Sequence, residues 1–202
     1  MNRPRPHDLL RVAPVEALSR GGPPWVGPAL RGNPWVVVRR DRCAPGHVAV
    51  GIRGSGRSQR HPTVVDLDTI VECLSPADLL DHGDQLPDVP AARALRAAAG
   101  ILEPSGVCWG PGGSTGFTLA TGVPVVTADS DLDIVIRVDR LPSPDVLLLW
   151  HNAFRALPAR VDCQLDLPAG GVALAELVGE ARRVLLRTAD GPALVERDGL
   201  PS

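Results

Sequence analysis

The chain alternates between short apolar runs and breaks rich in Gly, Pro and charged residues, and the lengths of those runs predict a mixed protein. Trp35 to Arg39 carries three consecutive valines, and His47 to Arg53 places Val48, Val50 and Ile52 at every second position. Both read as strands. Val64 to Leu74 begins apolar and β-branched and is compatible with more than one state. Ser75-Pro76 offers a cap and first-turn pair for a short helix to Leu80. The polar stretch Asp81 to Pro90 reads as a connection. Ala91 to Ala99 is rich in strong helix formers, with Gly100 as its stop.

Beyond Gly100 the elements come in quick succession. Val107 to Trp109 reads as a strand and Ser114 to Ala120 as a short helix. Leu132 to Val138 is a β-branched strand. Ser143-Pro144-Asp145 opens a helix to about Leu157, with cap, N1 proline and acidic first turn. Arg160 to Leu167 alternates as a strand, and Leu174 to Glu180 reads as a helix. Val184 to Thr188 and Ala193 to Arg197 flank Ala-Asp-Gly-Pro as a hairpin. The order predicts an α+β fold. A small β-rich N-terminal domain (1–85), expected to bind substrate, precedes a mixed sheet flanked by helices (86–202), expected to be catalytic.

Composition narrows the function. The 202 residues are 44% hydrophobic and 22% charged, with net charge -2. That is an ordinary globular balance without a basic field to draw nucleic acid. All 21 basic residues are Arg, since the sequence contains no Lys. Cationic work therefore falls to Arg, His or a metal. Cys43, Cys73, Cys108 and Cys163 form no C-x-x-C pair, which excludes common zinc and redox spacings. No apolar run is long enough for a signal peptide or a membrane span, so the expectation is a cytoplasmic protein with reduced thiols.

The chemistry concentrates in two segments. Asp131 and Asp133 stand two apart at the head of a strand, on one face. Two carboxylates so placed repel unless a cation lies between them, and Mg²⁺ (or Mn²⁺) takes such oxygen ligands together with substrate phosphates. Upstream, Gly112-Gly113-Ser114 leaves a strand and enters a helix, whose free N–H groups and dipole favour an anion. Ser114 is expected to cap that helix and donate to a phosphate. A third acid is expected from Arg160 to Leu167, where Asp162, Gln164 and Asp166 share a face. Asp162 is preferred and Asp166 is the alternative. Arg53, Arg57 and Arg60 surround a Gly-Ser loop and are candidates to hold phosphates through forked hydrogen bonds. Arg137 reads as a strand-end surface charge, Trp150 as packing and His151 as helix surface.

The order strand, Gly-Ser, helix, D-x-D strand, helix, acidic strand resembles the DNA polymerase beta-like nucleotidyltransferases. Within them the sequence looks most like the phosphoribosyl-dephospho-CoA transferases, the holo-acyl-carrier-protein synthases of bacterial malonate decarboxylase. The residues carrying this are Gly113-Ser114, Leu119 to Pro124, Ser130 to Asp133, Val161 to Leu165, Gly170-Gly171 and Leu174 to Glu176, with Val50 to Gly54, Arg57, Gln59 and Arg60 in the N-terminal part. The resemblance implies transfer of a phosphoribosyl-dephospho-CoA group from triphosphoribosyl-dephospho-CoA to a serine of the acyl-carrier subunit, releasing pyrophosphate. Asp131, Asp133 and Asp162 carry over as metal-binding and catalytic acids, and Gly113 and Ser114 as the phosphate cradle. Neither nucleic acid nor membrane is implied as a partner. The alternatives are transfer of a nucleoside monophosphate from a nucleoside triphosphate to a protein or small hydroxyl, and a non-catalytic nucleotide- or carrier-binding module.

Overall fold

The structure is a computed structural model describing residues 3–16, 18, 22–56 and 58–202, with residue 84 described in its backbone only. The chain divides into two compact units, Met1–Ser75 and Pro76–Ser202. It is an α+β protein with one sheet in each unit.

The first unit is β-rich. Strands β1 (Leu9–Val12), β2 (Trp35–Val38), β3 (His47–Arg53), β4 (Arg60–Asp66) and β5 (Ile70–Leu74) form an antiparallel sheet in the order β4-β3-β2-β1-β5. Alternation decides its core. Val36, Val38, Val50, Ile52 and Val65 are buried with Leu10 and with Val26 and Leu30 of helix α1 (Val26–Gly32). Pro28 is tolerated in α1 because the first helical turn needs no N–H partner. Strand β4, absent from the sequence reading, contains Pro62. It lies at the sheet edge, where a missing N–H costs least. Strand β1 and helix α1 were likewise not legible in sequence.

In the second unit helix α2 (Pro90–Leu102) leads to β6 (Cys108–Pro111), α3 (Gly113–Thr121), β7 (Leu132–Arg137), α4 (Pro144–Phe154), β8 (Val161–Leu167), β9 (Gly170–Ala173), α5 (Leu174–Leu177), β10 (Arg183–Thr188) and β11 (Gly191–Glu196). The sheet order is β11-β10-β9-β8-β7-β6. Only β7 and β8 run parallel; α4 forms the crossover a parallel pair requires, and the other pairings are antiparallel. Leu132, Ile134, Ile136, Cys163, Leu165 and Leu167 share one face of this ladder and are all buried. Helix α2 packs against β7 and α4, and α5 against β8, β9 and β10. Trp150 on α4 is fully buried, as expected of a packing residue.

Three local expectations change. Helix α2 continues through Gly100 to Leu102, because Ala98 and Leu102 have core positions that outweigh one glycine. The stretch read as a connection from Asp81 is instead, through Gln85, part of a 3-10 helix (Asp78–Gln85) packed on α3 and β6. Helix α5 stops at Leu177, its first turn already burying Leu174 and Leu177. No helix among the described residues is long and apolar enough to cross a membrane.

Candidate active site

The acids gather at the N-terminal end of the β7–β8 ladder. Asp133 pairs in register with Asp162, Val135 with Gln164, and Arg137 with Asp166. Neighbouring strands lie about 4.8 Å apart and registered residues share a face, so Asp133 and Asp162 stand side by side. Asp131 immediately precedes β7, where Leu132 N–H donates to the Arg160 carbonyl (2.8 Å) and ties the D-x-D segment to the head of β8. Asp131 and Asp133 are half-buried and Asp162 is exposed.

Helix α3 starts against the same acids. Gly112 N–H donates to the Asp133 carbonyl at 2.9 Å, so the turn from β6 into α3 is bonded to β7. Gly113 has φ +54, and a Cβ there would overlap the Asp133 carboxylate. Both conditions demand glycine. The first turn of α3 thus abuts the Asp133 side chain with no methyl between them. The N-cap position is Gly112, which corrects the expected cap. Ser114 lies one residue inside the helix, where its hydroxyl caps nothing and is half-buried. A serine in the first turn remains next to the free N–H groups that favour an anion.

The loop from α3 back to β7 is held by side chains that sequence reasoning missed. The buried Thr118 hydroxyl accepts the N–H groups of Val125 (3.2 Å) and Val126 (3.1 Å). Ser130 Oγ accepts Thr127 N–H at 3.0 Å, and Ser130 N–H returns a bond to the Thr127 carbonyl. These fix the approach to Asp131. A lone threonine inside a helix carries no signal of such a role.

The third acid is exposed to a different partner. Arg160 Nη2 donates to Asp162 Oδ1 at 3.0 Å. Among the described residues, no three His, Cys, Asp or Glu side chains converge closely enough to hold a metal ion as they stand. Asp166, the alternative acid, is 1% exposed and faces Arg137 at 3.7 Å. Arg137 is therefore not the expected surface charge. Its side chain is 9% exposed, drawn inside by a registered carboxylate on the next strand.

In the first unit Arg53 and Arg60 stand directly opposite one another at the end of the β3–β4 hairpin. Like charges so placed repel, which makes the pair a candidate for anions. The loop between them is closed by Gly54 N–H to the Gln59 carbonyl (2.9 Å) and Gly56 N–H to Gln59 Oε1 (3.0 Å). Gln59 and Trp25 crowd Gly54, so a side chain there would have to displace them. Arg57 lies outside the described residues. Among the described residues no cysteine forms a disulfide; Cys163 is buried, and burial pushes its thiol pKa up, keeping it neutral, while Cys108 is exposed.

Comparison with known proteins places the chain in a family. Residues 66–198 match the family described as phosphoribosyl-dephospho-CoA transferase MdcG C-terminal domain, and residues 5–76 match the corresponding N-terminal domain. A phosphoribosyl-dephospho-CoA transferase of Pseudomonas putida (strain GB-1) is 44% identical, the match covering 96% of this chain and 95% of that protein. The Pseudomonas aeruginosa enzyme of that name is 42% identical over 96% and 92%. That of Klebsiella pneumoniae (strain 342) is 38% identical over 95% and 94%. No solved structure matches the chain. With both family domains matched and relatives similar along nearly the whole length, the chain belongs to the phosphoribosyl-dephospho-CoA transferase family and is a transferase enzyme.

Proposed function

We propose that the protein transfers the phosphoribosyl-dephospho-CoA group from triphosphoribosyl-dephospho-CoA to a serine hydroxyl on the acyl-carrier subunit of malonate decarboxylase. The serine oxygen attacks the phosphorus nearest the ribose. A new P–O ester bond forms, the P–O bond to the next phosphate breaks, and pyrophosphate leaves with that electron pair. Asp162, the most exposed of the three acids, accepts the serine proton. Gly113, Ser114 and the first-turn N–H groups of α3 cradle the phosphates. In the first unit, Arg53 and Arg60 serve as an anion-binding pair for phosphate groups.

Asp131, Asp133 and Asp162 would hold Mg²⁺ or Mn²⁺. The donor chemistry suits such an ion, being hard carboxylate oxygens, two of them registered on adjacent strands, and the three side chains would have to draw together around it. A divalent cation there screens the charge that grows on the transferring phosphoryl group. The observation that carries the reading is the registered Asp133–Asp162 pair with Gly113 pressed on Asp133, in a chain 44% identical to a transferase of that name.

The test is direct. Purified protein, Mg²⁺, triphosphoribosyl-dephospho-CoA and the apo acyl-carrier subunit should give a carrier whose mass rises by the prosthetic group, with one pyrophosphate released per carrier. An unchanged carrier mass, with folded protein and competent substrates, overturns the proposal. Pyrophosphate released from ATP or CTP instead would assign nucleoside monophosphate transfer.

A further inference from the structure

Arg160 is the feature of the site that the proposed chemistry leaves unused. It lies directly before β8, and its carbonyl is bonded to the backbone between Asp131 and Asp133. Its guanidinium is bonded to Asp162 at 3.0 Å. Arg160 is therefore an ion-pair partner of one of the registered acids, and it occupies a carboxylate assigned to a divalent ion.

The energetics make this pairing exchangeable. The two side chains are 73% and 51% exposed. An ion pair so wet gains little over hydration and is readily given up. The Arg137–Asp166 pair on the same face is 9% and 2% exposed, and breaking it would strand a charge away from water. Two in-register carboxylates repel each other whenever no cation is near. Arg160 relieves that repulsion in the resting protein. A divalent ion relieves it better, and the two cations compete for Asp162.

Once displaced, the guanidinium remains tethered through its backbone beside the D-x-D segment whose Asp133 abuts the first turn of α3. With no lysine in the chain, a forked Arg donor is the available side-chain clamp for a polyphosphate. We propose that Arg160 is a positioning residue that exchanges partners. It holds Asp162 until the divalent ion arrives, then passes to the departing pyrophosphate end of the triphosphate. This rests on the metal-dependent reading above.

Mn²⁺ titration of the full-length, substrate-free protein, followed by the electron paramagnetic resonance signal of free Mn²⁺, tests the exchange without catalysis. Arg160→Gln should tighten Mn²⁺ binding about two- to fivefold, the range set by a wet ion pair. In an Asp162→Asn background the same substitution should leave Mn²⁺ binding unchanged. In turnover, Arg160→Gln should raise KM for the triphosphoribosyl substrate with a smaller change in kcat, and Arg160→Lys should recover part of the loss. Unchanged or weaker Mn²⁺ binding by Arg160→Gln, with wild type binding normally, overturns the exchange alone. Failure of the wild type to bind Mn²⁺ overturns the metal site and the exchange with it.

Discussion

The two ends of the β7–β8 ladder carry the same kinds of residue and put them to opposite uses. At one end Asp133 is registered with Asp162, like beside like, and Asp162 is left in water. At the other end Arg137 is registered with Asp166, opposite beside opposite, and both are withdrawn from solvent. Between them on this face lies the registered pair Val135 and Gln164. Two like charges side by side are costly unless cations offset them. At this end the offset comes from Arg160 in an exposed, exchangeable ion pair, which makes the end a candidate binding site. A balanced, buried pair is complete in itself and serves the fold.

That contrast is broken most sharply at the open end. Asp131→Asn or Asp133→Asn should lower kcat about 10²–10³-fold, the range seen when a preorganised electrostatic partner of the transition state is removed. Thermal stability should stay close to wild type. Near-normal turnover would show that the repelling pair is not the catalytic end.

Gly113→Ala comes next. The methyl must overlap the Asp133 carboxylate while the backbone keeps a left-handed φ. Activity should fall at least tenfold, and stability by roughly 1–2 kcal/mol from the backbone term. Denaturant melts with parallel assays check both. A fully active Gly113→Ala would show that the close approach of α3 to Asp133 is dispensable.

The closed end predicts the reverse pattern. Arg137→Ala or Asp166→Asn should each cost about 3–5 kcal/mol of stability. Replacing both together by Met and Leu should recover much of it. Activity should track the folded fraction. A stable but inactive Asp166→Asn would transfer the third catalytic role from Asp162 to Asp166.

The smallest effect concerns Cys163, on the buried face of β8. Native protein should react with a thiol reagent at Cys108 while Cys163 stays protected until unfolding. Burial raises the Cys163 pKa in the folded state. Its contribution to stability is therefore present below the ordinary thiol pKa of about 8.5. Above that pH the unfolded chain ionises first and stability declines. Mass mapping after alkylation and melts between pH 7 and 10 check the two statements.

Much of this arrangement was legible from local pattern. The alternation of Leu132, Ile134 and Ile136 announces a strand with one buried face, and Ser143-Pro144-Asp145 announces the helix that follows. D-x-D needs only the two-residue period to put its carboxylates together. The Gly-Gly-Ser turn was readable as a helix start, although the cap fell on Gly112, because Gly113 must adopt positive φ against Asp133. Strand β4 was missed because Pro62 argues against a strand unless its position at a sheet edge is known.

What the sequence determined by itself is which residues share a face. Asp133, Val135 and Arg137 must point one way from their strand, and Asp162, Gln164 and Asp166 one way from theirs. Tertiary structure decided which members of the two sets meet. Sliding β8 by four residues along β7 would keep every side chain on its face and set Asp166 opposite Asp133, so period alone cannot separate Asp162 from Asp166 as the neighbour of Asp133. The choice is made by packing and hydrogen bonding between strands that α4 separates along the chain. That choice leaves one aspartate in water beside Asp133 and buries the other against Arg137.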